Sequence, residues 1–465
     1  MGNKKIFILL PDGVGLRNFA FTDFHKEAVA QGFAVEFWNN TPFDLSRLGF
    51  SEKKINNATP HFISDLYKRA RTEIDLTQNV KRSGDQVYES YRFPLSDGDL
   101  KLKLKSLAVV ALRNIFNSDQ GVQKIRRRMK SQERKTAYYQ SCLKDLQGAK
   151  PDIVFCTNQR PLSAVAPIIA AQDLGIPTAT FIFSWDNLPK ATMIIETDYY
   201  FVWSNHMKAE LLYYYPYIKE NQIFVTGTPQ FEPHFDASLI ETKAVFFEKY
   251  GLDTEKKYIC FSGDDITTSP DDPQYLEDAA AAVRKLNGEG SNLGIVFRRC
   301  PVDFSDRYDK VLTEYSDVIV SVAPVWKKMG ANWNAILPTL EDLILQVNTI
   351  FHTEFVINLG SSMVFDYACF DKPCMYINYD AEKQNDPNWS VEKIYKFVHF
   401  QSMPDKNAVI WIDDPKKLDV QIKKLLLDSA ATVKSAQLWF EKINEIPANQ
   451  ASDRIVSGIK SILSK

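Results

Sequence analysis

No apolar run in the 465-residue chain approaches the roughly 18 residues that a membrane-spanning helix needs, so an integral membrane topology is excluded. CxxC spacing is absent as well. The six cysteines (Cys142, Cys156, Cys260, Cys300, Cys369, Cys374) sit mostly inside apolar stretches, which predicts free thiols in a reducing compartment rather than a disulfide or metal framework. The six histidines are scattered, and none has metal-ligand spacing. The opening MGNKKIFILLPDGVG breaks at a proline and an aspartate, too soon for a secretory h-region. It is expected to be a buried first strand of a cytosolic protein. Excess charge is missing too: the net charge is -2, which argues against a dedicated nucleic-acid binder. What remains is 45% hydrophobic and 25% charged, ordinary for globular domains, and the length predicts two or three of them.

The small net charge conceals an asymmetry. Residues 1–235 carry 30 Lys+Arg against 24 Asp+Glu, and the remainder 26 against 34, so the two parts stand at +6 and -8. The surplus is local. Between Lys101 and Lys135 there are eleven basic residues and two acidic ones, Asp119 and Glu133.

Short apolar runs alternate with helical patterns along most of the chain. KKIFILL, AVEFW, PDIVFCT, IPTATFIF, DYYFVWS and IFVTG read as buried strands, separated by helices of about 10–15 residues. Continuous apolar strands in such alternation predict a parallel sheet covered on both faces, the doubly wound α/β class. The polar segment GTPQFEPHFDASL interrupts the series, and KYICFSG, GIVFRRC, DVIVSVAP, FVINLG and PCMYINY begin a second one. The expectation is two tandem Rossmann-like domains, 1–235 and 236–465, facing a cleft, with the last helix either completing the second or returning to the first.

In doubly wound folds ligands bind beyond the carboxyl ends of the strands, so the strand-exit loops are the places to search. INLGSSMVFDYACFDKP is the strongest: Gly360, Ser361 and Ser362 open a helix whose amides and hydroxyls suit phosphate oxygens, and Asp366 lies one turn on, placed for a ribose diol. The alternative is an ordinary helix cap with a first-turn acid.

These residues carry a resemblance. PTLEDLILQVNTIFHTEFVINLGSSMVFDYACFDKPCMYINYD, together with DNLPK, DYYFVWS and IFVTGTPQF, resembles bacterial glycosyltransferases of the GT-B fold, and is more distantly similar to CDP-glycerol glycerophosphotransferases and non-hydrolysing UDP-sugar 2-epimerases. The likeness spans roughly residues 151–380. It implies an inverting glycosyltransferase with a nucleotide-sugar donor, UDP-sugar favoured, on the C-terminal domain. The acceptor would be a hydroxyl of a glycan or lipid-linked glycan on the N-terminal domain, in bacterial surface polysaccharide synthesis. It implies no metal and no cofactor beyond the donor, with Ser361 and Ser362 at the diphosphate and Asp366, Glu in several relatives, at the ribose. An epimerase, a glycerophosphate transferase or a non-catalytic sugar-nucleotide binder are the alternatives.

Three further loops follow. In GIVFRRC one of Arg298 and Arg299 points toward the strand ends, where a guanidinium neutralises a leaving diphosphate; Arg298 is the slight favourite. In CFSGDDITTSP, Gly263 permits close approach of backbone to phosphate, with Ser262 as a donor; an ordinary polar loop is the alternative. In LLPDGVGLRNF, Asp12 stands at a strand exit as candidate general base, with Asp186 of SWDNLPK as the other. The third glycine of GxGxxG is missing there, which disfavours a dinucleotide site. The basic run 101–135 has three readings: a solvated helical face, an anionic-lipid or polyprenyl-phosphate surface, because leucines accompany its lysines, and, third, nucleic acid, for which no recognised module is present. A cytoplasmic protein, peripheral on the inner face of the plasma membrane and without a nucleic-acid partner, is the resulting expectation.

Overall fold

Ile6 through Leu10 have no exposed surface at all, and that burial on both faces is what a central parallel strand requires. The computed structural model describes residues 4–93, 98–329 and 336–464. Its first sheet contains β1 (Lys5–Leu10), β2 (Ala34–Asn39), β3 (Glu52–Lys54), β4 (Ile153–Cys156), β5 (Thr178–Phe181), β6 (Tyr199–Val202) and β7 (Ile223–Val225). They lie in the order β3-β2-β1-β4-β5-β6-β7, and all pairs are parallel. Four helices, Ser64–Ser83, Leu100–Ile115, Asp119–Glu133 and Ala137–Ala149, fill the long connection from β3 to β4. Phe19 meets Phe24, Phe155 and Phe181 edge-on at 5.2–5.4 Å and ties the first helix of the chain to the sheet.

The second sheet is built from β8 (Lys257–Ser262), β9 (Leu293–Arg298), β10 (Ile319–Ser321), β13 (Thr353–Asn358), β14 (Cys374–Ile377) and β15 (Ile410–Ile412), in the parallel order β10-β9-β8-β13-β14-β15. Between β10 and β13, β11 (Lys327–Lys328) and β12 (Ile336–Leu337) form a small antiparallel ribbon. The helix Leu340–His352 starts cleanly because the Thr339 hydroxyl accepts the Asp342 amide (3.1 Å). The two doubly wound sheets make the GT-B architecture expected from the sequence.

The chain divides into two compact units, Met1–Pro229 with Ile443–Lys465, and Gln230–Lys442. The first stretch ends at 229 instead of 235, and of the two places expected for the last helix it takes the return to the first unit. Residues 230–235 belong to the second unit because Phe231 packs edge-on against Phe440 (4.8 Å) and His234 bonds Asp366. The final 23 residues belong to the first: the Thr228 amide donates to Asn444 (3.0 Å), Arg454 donates to the Thr226 carbonyl (2.7 Å), and Gly458 lies so close to Phe201 that a Cβ would overlap its ring.

Strand order reverses once in each unit, between β1 and β4 in the first and between β8 and β13 in the second. These switch points are where such folds open a crevice for ligands.

Candidate functional site

At the first switch point Asp12 follows β1 and Asn158 follows β4. The Asn158 amide donates to Asp12 Oδ2 (2.8 Å) and the Val14 N–H donates to Oδ1 (3.2 Å). Asp12 is 7% exposed, and burial pushes its carboxyl up to about 6 against the opposing pull of these two donors and the Arg160 charge. An acid with neutral hydrogen-bond donors and a titration near neutrality can take a proton from a hydroxyl. The chain packs closely just beyond Asp12, since a Cβ on Gly15 would overlap Thr157 Oγ1. Asp186, the other acid, is committed elsewhere: it pairs with Lys190 and accepts from Ser184 (2.6 Å) and Asn187 (2.9 Å).

The second switch point brings Ser262, the last residue of β8, and Gly263 beside Gly360 and Ser361, after β13. Gly360 has φ +63°, and a Cβ there would press on Phe400 (3.0 Å) and Ile394 (3.1 Å), so only glycine suits that turn. The Ser361 amide is held by Asn358 (2.9 Å) and its hydroxyl lies 3.4 Å from the Met363 amide, while Ser362 is exposed at the start of a six-residue helix. Gly263 is required for a reason other than close approach to phosphate. A Cβ there would crowd Asp272 Oδ2 and Tyr308 Oη at 3.0 Å and Phe297 at 3.1 Å.

Two of the expected ligand contacts are already occupied. Asp366 Oδ1 is bonded to His234 Nε2 (2.7 Å) and receives Gln346 Nε2 (3.4 Å), with its side chain 5% exposed, so this acid braces the interior rather than presenting itself to a ribose. Arg298 donates through Nη2 to both oxygens of Asp342 (2.9 and 2.8 Å), and Asp342 also accepts from the Val325 amide (2.8 Å) and Trp326 Nε1 (2.7 Å). Its charge is therefore neutralised inside the unit. Arg299 differs: it is half-buried, donates to the Ser305 carbonyl (3.1 Å) and lies over the Tyr308 ring (5.3 Å).

The loop after β8 is locked internally as well. Asp265 caps its own turn through Thr267 and Thr268, and Asp272 accepts from Tyr308 (2.7 Å) and Ser269 (2.9 Å). Burial raises Asp272 to about 6, and burial with repulsion from Asp272 and Asp265 raises Asp264 strongly. Sequence reasoning missed Asn158, His234 and Asp342. TNQR at the end of PDIVFCT was a visible strand-exit signal, but nothing local shows that β4 lies beside β1 across the 142 residues between them. Among the described residues no group of three or more His, Cys, Asp or Glu could hold a metal ion, and no helix is long and apolar enough to cross a membrane.

No protein-family model matches the chain. No curated protein matches it either. Solved structures do. A Staphylococcus aureus MnaA–UDP co-structure has 14% identity and TM-score 0.53, covering 99% of this chain and 97% of its own. A putative UDP-N-acetylglucosamine 2-epimerase from Listeria monocytogenes has 11% identity and TM-score 0.55, covering 100% and 97%. A UDP-GlcNAc 2-epimerase from Methanocaldococcus jannaschii has 14% identity and TM-score 0.53, covering 98% and 99%. At such identities the likeness is one of fold.

Proposed function

We propose that the chain is an inverting glycosyltransferase that moves a sugar from a nucleotide-sugar donor, UDP-sugar favoured, to a hydroxyl of a glycan or lipid-linked glycan in bacterial surface polysaccharide synthesis. The observation that carries the reading is Asp12: a buried acid at a switch point, held by neutral donors and raised to about 6. In a single displacement the acceptor oxygen attacks the anomeric carbon, the bond from that carbon to the diphosphate oxygen breaks, and the acceptor proton passes to Asp12. The donor belongs to the second unit, its diphosphate at Gly360, Ser361 and Ser362, with Ser262 and Gly263 on the adjoining loop. Arg299 meets the charge that develops on the leaving diphosphate, in place of a metal. Arg298 and Asp366 support that platform from within. The protein works in the cytoplasm, peripheral on the inner membrane face.

A second reading, a UDP-sugar 2-epimerase, is favoured by the names of the structural neighbours. A panel of nucleotide sugars separates the two. Slow release of nucleoside diphosphate, accelerated by an acceptor, supports transfer; an epimeric nucleotide sugar formed without acceptor supports epimerisation. Tight binding with neither product would overturn both.

A further inference from the structure

The helix Leu100–Ile115 has two unlike faces. At about 100° per residue, Leu100, Leu104, Leu107, Ala111 and Ile115 fall within one narrow arc. All five are exposed, the leucines and isoleucine by 58–72%. The opposite side holds the helix to its own unit. Val109 is buried, Lys105 pairs with Asp65 and Arg113 with Glu73 (3.7 Å), while Leu112 and Phe116 pack on the cluster of Ala70, Ile74, Val122 and Ile125. Ion pairs and packing on the inner side thus fix the apolar stripe outward. Lys101 and Lys103 flank it on either side, both exposed, and the helix contains no acidic residue.

The structure also sorts the basic run. Arg126 is 1% exposed, stacked on Tyr217 (3.7 Å) and paired with Glu196; Lys130 joins the same glutamate (2.9 Å), and Arg134 is bound to Asp173 (2.7 Å). With Lys105 and Arg113 also paired, six of the eleven are exposed and outside these ion pairs: Lys101, Lys103, Lys124, Arg127, Arg128 and Lys135. A surface of fewer charges and four large exposed apolar side chains holds an interface by insertion more than by attraction.

We propose that this helix lies in the plane of an anionic bilayer, with Leu100, Leu104, Leu107 and Ile115 seated among the acyl chains and Lys101 and Lys103 reaching to the phosphates beside them. The lysine placement decides for lipid over a protein groove, because a cation on each side of an apolar stripe complements a continuous anionic plane. The inference deepens the reading of a lipid-linked acceptor and rests on it only for what the membrane supplies.

The test uses the full chain and vesicles of phosphatidylcholine with or without phosphatidylglycerol. The wild type should sediment with the mixed vesicles, and Leu104→Ser with Leu107→Ser should weaken partitioning by about tenfold or more, since both positions are exposed and removing them leaves the fold intact. Lys101→Glu with Lys103→Glu should abolish the preference for phosphatidylglycerol. Leu104→Trp should add to the emission of the eight native tryptophans a component that shifts to the blue on vesicles and is quenched by brominated lipid, and that component should be absent from the wild type. Unaltered partitioning of the serine variant would overturn the proposal, as would a wild type that stays in the supernatant, or one that light scattering shows to be a dimer dissociated by the same serines. Donor turnover, measured in parallel without vesicles, reports on the enzymatic reading separately.

Discussion

The two switch points have the same topology and differ in how their charged groups are partnered. In the first unit a buried carboxylate, Asp12, has an amide and a backbone N–H as hydrogen-bond partners. In the second, Arg298 is paired with Asp342 and Arg307 with Asp303 (2.8 Å), His234 is bonded to Asp366, and the raised acids Asp272 and Asp264 lie inside the loop that Tyr308, Ser269 and Arg307 hold. A neutral amide leaves an acid free to change its protonation state, whereas an ion partner fixes it. The difference teaches that a single raised acid beside neutral amide donors marks the first strand-exit region, while the second holds its raised acids inside a locked loop and its arginines in pairs.

The sharpest way to break this contrast is Asp12→Asn, which keeps size and removes the base. Turnover should fall by roughly 10²–10⁴ with donor affinity intact. A variant with wild-type turnover would move the proton-accepting role out of the first unit. Next in size is Asp342→Ala. It leaves the Arg298 guanidinium buried without a partner, and urea unfolding should show a loss of about 3–5 kcal/mol. Replacing both by apolar residues of similar volume should cost much less, and equal costs would contradict the paired-platform account.

Much of this contrast could not be read from sequence. The strands, their parallel order class and the candidate loops were legible, because apolar runs and strand-exit glycines are local features. Asp12 was legible for the same reason. The pairing of Arg298 with Asp342 joins residues 44 positions apart, and that of His234 with Asp366 spans 132, so the loss of two expected ligand contacts is a tertiary effect. The tail's return to the first unit depends on Gly458 meeting Phe201, a contact that no periodicity announces.

A third test uses pH. Asp12 keeps its proton up to about 6 in the folded chain but loses it near 3.8 when unfolded, so the unfolded state binds fewer protons between those values. Stability should therefore fall as pH rises through that window, by at most about 3 kcal/mol, and Asp12→Asn should flatten its contribution. Parallel wild-type and variant curves would show that burial does not strain this acid. The smallest effect is expected for Asp366→Ala. Loss of the bonds to His234 and Gln346 should lower stability by about 1–3 kcal/mol. A loss of donor affinity without loss of stability would return Asp366 to the ribose.

The most direct measurement is carboxyl carbon NMR of aspartate-labelled protein across pH 3 to 8, wild type against Asp12→Asn. Of the aspartate resonances titrating near 6 in the wild type, one should be missing from the variant, while that of Asp272 remains. If every resonance near 6 survives in the variant, Asp12 is an ordinary ionised carboxylate, and the distinction drawn between the two switch points does not hold.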